Sequence, residues 1–128
     1  MDRILFLTFR NRQVLVADCS DCSPEELAAL IDEVPKHVTK QPLGTVLVLA
    51  DFSRSVLTKE TVEHLKLAAV FDRPHLEKSA WVLTESLDKT LYQSIRTFSR
   101  REIRTFPTRE QALKYLVPDE QLGEGSKT

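Results

Sequence analysis

Asp51 and Ser53 stand where the aliphatic run Thr45-Val46-Leu47-Val48-Leu49-Ala50 stops, an acid and a hydroxyl two positions apart. Such a pair can hold a ligand or a partner's donor, or it can accept the amide hydrogens of its own loop. Thr58 and Lys59 follow at the next helical start and add a hydroxyl and a cation. Arg100, Arg101 and Arg104 gather further positive charge toward the carboxyl-terminal end. These residues form the candidate partner- or ligand-binding set. Arg100 and Arg101 also suit the end of a helix, where the backbone dipole is negative.

Cys19 and Cys22 form a C-x-x-C, a spacing that lets two thiolates face one way, and Cys22 lies next to a helix start, a position able to lower a thiol's pKa. A structural zinc site needs four ligands, and the other soft donors, His37, His64 and His75, supply no second pair at motif spacing. A thioredoxin-like motif would carry an aromatic residue in front and Gly-Pro inside, whereas Asp18 precedes and Ser20-Asp21 intervene. The cysteines therefore read as incidental thiols in a strand-to-helix connection, and we expect no metal and no cofactor.

Each histidine lies in a polar helical or turn context without an assigned nucleophile and orienting acid, so each reads as solvent-exposed. The chain has no G-x-S-x-G elbow, phosphate loop or dinucleotide fingerprint, and its three glycines cannot build a phosphate cradle. The expectation is a protein that is not an enzyme.

The elements that must position these groups are legible from hydrophobic period and capping. Val46 to Ala50 is continuously aliphatic, as in a strand buried on both faces, and ligands of open α/β sheets sit beyond the carboxyl ends of such strands. Ile4 to Phe9 and Gln13 to Asp18 predict an antiparallel hairpin turning at Arg10-Asn11-Arg12. Ser23, Pro24 and Glu26 form a capping box and first turn, with Leu27, Leu30, Ile31, Val34 and Val38 as the apolar face and Pro35 expected to kink or end the helix.

A second helix should start near Thr58, and its Val62, Leu65, Leu67, Ala68, Ala69, Val70 and Phe71 exceed what one core face needs. That surplus suits a deeply buried helix, a self-association surface or a lid over a small apolar ligand. After a turn at Asp72-Arg73-Pro74 come a strand at Ala80 to Thr84, a helix with inner residues Leu87, Leu91, Ile95 and Phe98, a strand at Ile103 to Phe106, and a helix capped by Thr108 and Gln111 that runs through Val117. The reading is ββαβαβαβα: a single mixed sheet with an antiparallel N-terminal hairpin and a parallel βαβαβ core, helices packed on the sheet. Right-handed crossovers then bring Asp51 and Ser53, Thr84, Glu85 and Ser86, and Phe106 and Thr108 to one edge, where a shallow polar cleft is expected.

The length of 128 residues, with 41% apolar and 29% charged, fits one domain over 1–117 with a mobile tail over 118–128. A net charge of -1 argues against a nucleic-acid partner. The longest aliphatic run, Val46 to Ala50, falls far short of the ~20 residues of a membrane-spanning helix, and Met1-Asp2-Arg3 leads straight into a strand, so a cytoplasmic location is expected. Charge is uneven: Asp18 to Val34 carries six acids and no Lys or Arg, while Lys89 to Arg109 is basic. The two regions read as solvated faces, with docking of an acidic partner or homodimerisation as alternatives.

The element order, Leu49-Ala50-Asp51-Phe52-Ser53, the strand entry Lys78-Ser79-Ala80-Trp81-Val82, and Phe98-Ser99-Arg100-Arg101-Glu102-Ile103-Arg104-Thr105-Phe106 followed by Glu110-Gln111-Ala112-Leu113-Lys114-Tyr115-Leu116 resemble the small stand-alone bacterial STAS-like proteins. These are similar to anti-sigma-factor antagonists and, more distantly, to CRAL-TRIO lipid-binding domains. The resemblance extends to Val117 and implies a noncatalytic regulatory or protein-interaction module, with a carrier of a lipid or other apolar ligand as the alternative. In the antagonist branch the Asp-x-Ser strand end precedes Asp-Ser-Ser-Gly or Asp-Ser-Thr-Gly, whose serine is phosphorylated to break binding. Here Thr58-Lys59-Glu60-Thr61 occupies that place: Lys59 replaces the phosphoacceptor and Thr61 the glycine. The phosphoserine switch is not retained, and the resemblance leaves a docking role for that face open.

Overall fold

In the computed structural model, which describes residues 3–83, Gln93, Thr97 and 104–119, β1 (Ile4–Phe9) and β2 (Arg12–Asp18) pair antiparallel. Their turn is Arg10-Asn11, with φ of 51° and 65°, the left-handed pairing that matches the twist of a two-residue hairpin. Ser23 caps α1 (Pro24–Val38): its side chain accepts from the Glu26 amide, and the Glu26 side chain accepts from the Ser23 amide. The helix does not end at Pro35. One more turn carries Val38 into the core, so burial of an apolar residue holds the helix past the missing amide donor.

β3 (Val46–Asp51) is buried along its whole length. The rest of the chain adds α2 (Lys59–Asp72), a short 3-10 turn (Arg73–His75), β4 (Leu76–Val82), β5 (Arg104–Phe106) and α3 (Arg109–Leu116). β4 starts four residues earlier than apolar patterning indicates, because Glu77, Lys78 and Ser79 are all polar and give its first half no apolar run. The expected helix residues Leu87, Leu91, Ile95 and Phe98, the edge residues Thr84, Glu85 and Ser86, and Ile103 lie outside the described residues. So do Arg100, Arg101 and all of the tail beyond Asp119.

The sheet order is β1-β2-β3-β4-β5, with β1 antiparallel to β2 and the other pairs parallel. Alternation along β2 and β3 divides the core into two layers. Leu15, Ala17, Val46, Val48 and Ala50 pack with Leu27, Ile31, Val62 and Leu65 of α1 and α2. Val14, Val16, Leu47 and Leu49 form the second layer with Ala112 and Leu116 of α3. Asp18 and Asp51 share the parity of the second set, which places them on the α3 side. Among the described residues no helix is long and apolar enough to cross a membrane.

Candidate functional site

Asp51 pairs in register with Asp18 at the carboxyl ends of adjacent parallel strands. Each acid begins an Asp-x-Ser, and each serine turns back in the same way: Ser53 donates its amide and hydroxyl to Asp51 Oδ1, and Ser20 donates its amide and hydroxyl to Asp18 Oδ1. The next residues, Asp21 and Arg54, both adopt positive φ and form a two-pronged ion pair with N···O distances of 2.8 Å. Ser55 ties the loops further, donating to the Cys19 carbonyl and accepting from the Cys22 amide. From below, Arg3 donates to the carbonyls of Asp18 and Ser20.

Arg109, at the start of α3, lies across both acids. Its Nε reaches Asp51 Oδ2 at 2.5 Å and its Nη2 reaches Asp18 Oδ1 at 3.1 Å. Thr108 caps this helix by accepting from the Gln111 amide, which fixes where Arg109 leaves the backbone. Burial pushes the Asp51 carboxyl up, but the Ser53 hydroxyl, the Arg109 guanidinium and the Ser53 amide together outweigh it and hold the acid below its ordinary range. Asp51 is thus an ionised carboxylate with both oxygens engaged, suited to bracing a rim and poorly suited to taking a proton. At Asp51 and Asp18 the described part of this edge carries an internally paired acid-serine-arginine network.

Arg109→Met should reduce stability by about 1–2 kcal/mol at neutral pH, less than for a fully buried pair because the arginine side chain is 45% exposed. A carboxyl held below its ordinary value stabilises the fold above that value and loses the contribution as pH falls through the lowered one. The variant and wild type should therefore converge in acid, as read from urea midpoints. Equal penalties at neutral and acidic pH would contradict this account.

Of the other candidates, Arg100 and Arg101 lie outside the described residues, and Thr58, Lys59 and Arg104 are placed away from the two acids. The Thr58 hydroxyl caps α2 by accepting from the Thr61 amide, and the Thr61 hydroxyl reciprocates with the Thr58 amide. Lys59 is exposed at the first position of the helix. Arg104 starts β5 at the level of Ala80 and Leu49, two residues back from the rim, with its guanidinium 5.4 Å from the centre of the Tyr115 ring. Arg109 and Asp18 were not among the sequence candidates. The repeat Asp18-Cys19-Ser20 and Asp51-Phe52-Ser53 is the signal that identifies the second acid.

The helix start does not lower the thiols. Burial, with the neighbouring Cys22 and Asp18, pushes Cys19 up to about 12, and burial also raises Cys22, so neither is the lowered thiolate of a redox pair. The histidines are half-buried and partnered, not freely exposed. His64 Nδ1 meets Asp32 Oδ1 at 2.8 Å, His75 Nδ1 donates to the Gln41 carbonyl at 2.7 Å, and His37 approaches Glu33 at 3.9 Å. Among the described residues no group of three His, Cys, Asp or Glu is placed to hold a metal ion.

On the other face of the sheet a cavity of about 80 Å³ lies between α1, α2 and strands β2 to β4. Its wall is mostly hydrocarbon, including Ile31, Val48, Phe52, Leu65 and Trp81, with Asp72 at the end of α2. Leu65, Ala68 and Asp72 face inward, whereas Leu67, Val70 and Phe71 of the same helix are 56%, 38% and 60% exposed. The apolar surplus of α2 is therefore split between a cavity wall and an outer stripe. No protein-family model, curated protein or solved structure matches the chain.

Proposed function

We propose that this chain is a noncatalytic, cytoplasmic protein-interaction module of STAS-like type that docks its partner on the outer face of α2. The carrying observation is the stripe Leu67, Val70 and Phe71, spaced i, i+3 and i+4 and left in solvent on a helix whose opposite face, with Val62, Leu65 and Ala68, turns to the interior. The paired rim at Asp51 supports the same reading, since its polar groups are spent on holding the loop that leads into α2. Exposed apolar residues also lie on the edge strand β1, Leu5 and Leu7 on one face and Phe6 on the other, and this edge supports homodimer formation as the other mode of assembly. The cavity beneath α2 supports a second reading, a carrier of a small apolar ligand.

The double variant Leu67→Glu/Phe71→Glu should lose partner capture from the source lysate while its stability stays within about 0.5 kcal/mol per site, because both side chains project into water. Leu43→Glu, altering a residue 70% exposed in the loop before β3, is the matched control and should retain capture. Sedimentation of both variants shows whether the partner is a second copy. Equal recovery of the same partners by the double variant and the control would refute the α2 surface.

A further inference from the structure

Asp72 is hard to explain as a structural residue. It closes α2 in helical backbone geometry, with φ of -74° and ψ of -31°, just before the 3-10 turn Arg73–His75, and its side chain makes no cap hydrogen bond to that turn. It is 7% exposed, and among the described residues its Oδ1 has no hydrogen-bond partner. A carboxyl in a hydrocarbon wall without a donor costs the fold stability, and an apolar residue of similar volume would serve packing better. The group lines the cavity beneath α2, whose other polar lining residues are Ser79 and Cys19.

We propose that the cavity binds a compact apolar amine, its ammonium donating to Asp72 Oδ1 and its hydrocarbon body lying against Phe52, Leu65 and Trp81. The inference rests on the carrier reading and adds to it the chemistry of the ligand's head group. The cavity volume of about 80 Å³, at roughly 10–15 Å³ per water-sized occupant, holds on the order of five to eight heavy atoms. An anionic head group such as a fatty-acid carboxylate is disfavoured, because it would place two acids together in a medium of low polarity. A cation instead supplies the donor and the countercharge that the protein lacks at this position. Burial alone pushes Asp72 up to about 7, so an ammonium also restores an ionised state that the empty cavity penalises. The only other titratable group in the described lining is Cys19, held as a neutral thiol, while α1, β3 and β4 contribute uncharged side chains.

The chain's single tryptophan, Trp81, lines the cavity edge-on to Phe52 at 5.1 Å and supplies the readout. Benzylamine should change its fluorescence saturably, ethylbenzene should bind as a neutral isostere, and benzoate should not bind. Asp72→Asn, nearly isosteric, should weaken benzylamine about ten-fold or more and leave ethylbenzene unaffected. Thermal unfolding checks that the variant is folded. Benzylamine binding indifferent to Asp72→Asn overturns the amine assignment, with ethylbenzene binding still sustaining the carrier reading. Saturable binding by neither compound overturns both.

Discussion

Leu49→Ala lowers the unfolding free energy by about 2–5 kcal/mol, among the largest effects expected of any single substitution here. Leu49 is fully buried on the α3 side of the central strand, between Val16 on β2 and Ala80 on β4, in one layer with Leu47, Val82 and Leu116. Truncation removes apolar contact and leaves a void that the neighbours cannot fill, because β3 is held in register by hydrogen bonding on both edges. The cost should therefore sit at the upper end for a leucine that cannot relax. Leu43→Ala, at an exposed loop residue, should stay within about 0.5 kcal/mol. Urea unfolding followed through Trp81 separates the two, and a Leu49→Ala penalty near that of Leu43→Ala would mean that β3 is not an interior strand.

That strand was legible because burial on both faces removes the need for alternation, and few other elements give five aliphatic residues in succession. The helix starts were equally legible: Ser23, Thr58 and Thr108 satisfy orphan amides with their own side chains, a local interaction that needs no tertiary knowledge. The site was only half legible. Asp51 and Ser53 bond to each other over two positions, within the reach of sequence reasoning, whereas Arg109 arrives from 58 residues away. Asp18 was assigned to a hairpin and so was not placed on the rim, although its pairing with Asp51 follows once β2 is parallel to β3. The cavity was invisible for a different reason. Its wall is assembled from several elements, and Asp72 looked like the turn residue that its neighbours Arg73 and Pro74 imply.

The two acids illustrate how environment decides the role of a residue type. Asp51 is as buried as Asp72, at 5% against 7%, but it is surrounded by donors from Ser53 and Arg109 and stays ionised. Asp72 has the hydrocarbon, and among the described residues no donor reaches its Oδ1. The first acid stabilises the fold as a carboxylate, and the second destabilises it as one.

Asp72→Asn should consequently stabilise the protein at alkaline pH. The folded-state pKa, pushed up by burial from an ordinary 3.8 to about 7, means that between those values the unfolded chain has released the proton while the folded chain still holds it. The native state binds more protons there, so the stability of the wild type falls as pH rises through this window and levels off above it. Three units correspond to a loss on the order of 4 kcal/mol at about 1.36 kcal/mol per unit. Asparagine does not titrate, and it keeps the volume of the side chain. The variant should match the wild type within about 1 kcal/mol near pH 4 and exceed it by several kcal/mol near pH 8. Urea midpoints at both pH values provide the measurement, and the difference between the curves cancels the groups that titrate in both proteins, Asp51 among them. Parallel curves across the window would place Asp72 in contact with a donor or with water, and would remove the unpartnered carboxyl on which the amine site depends.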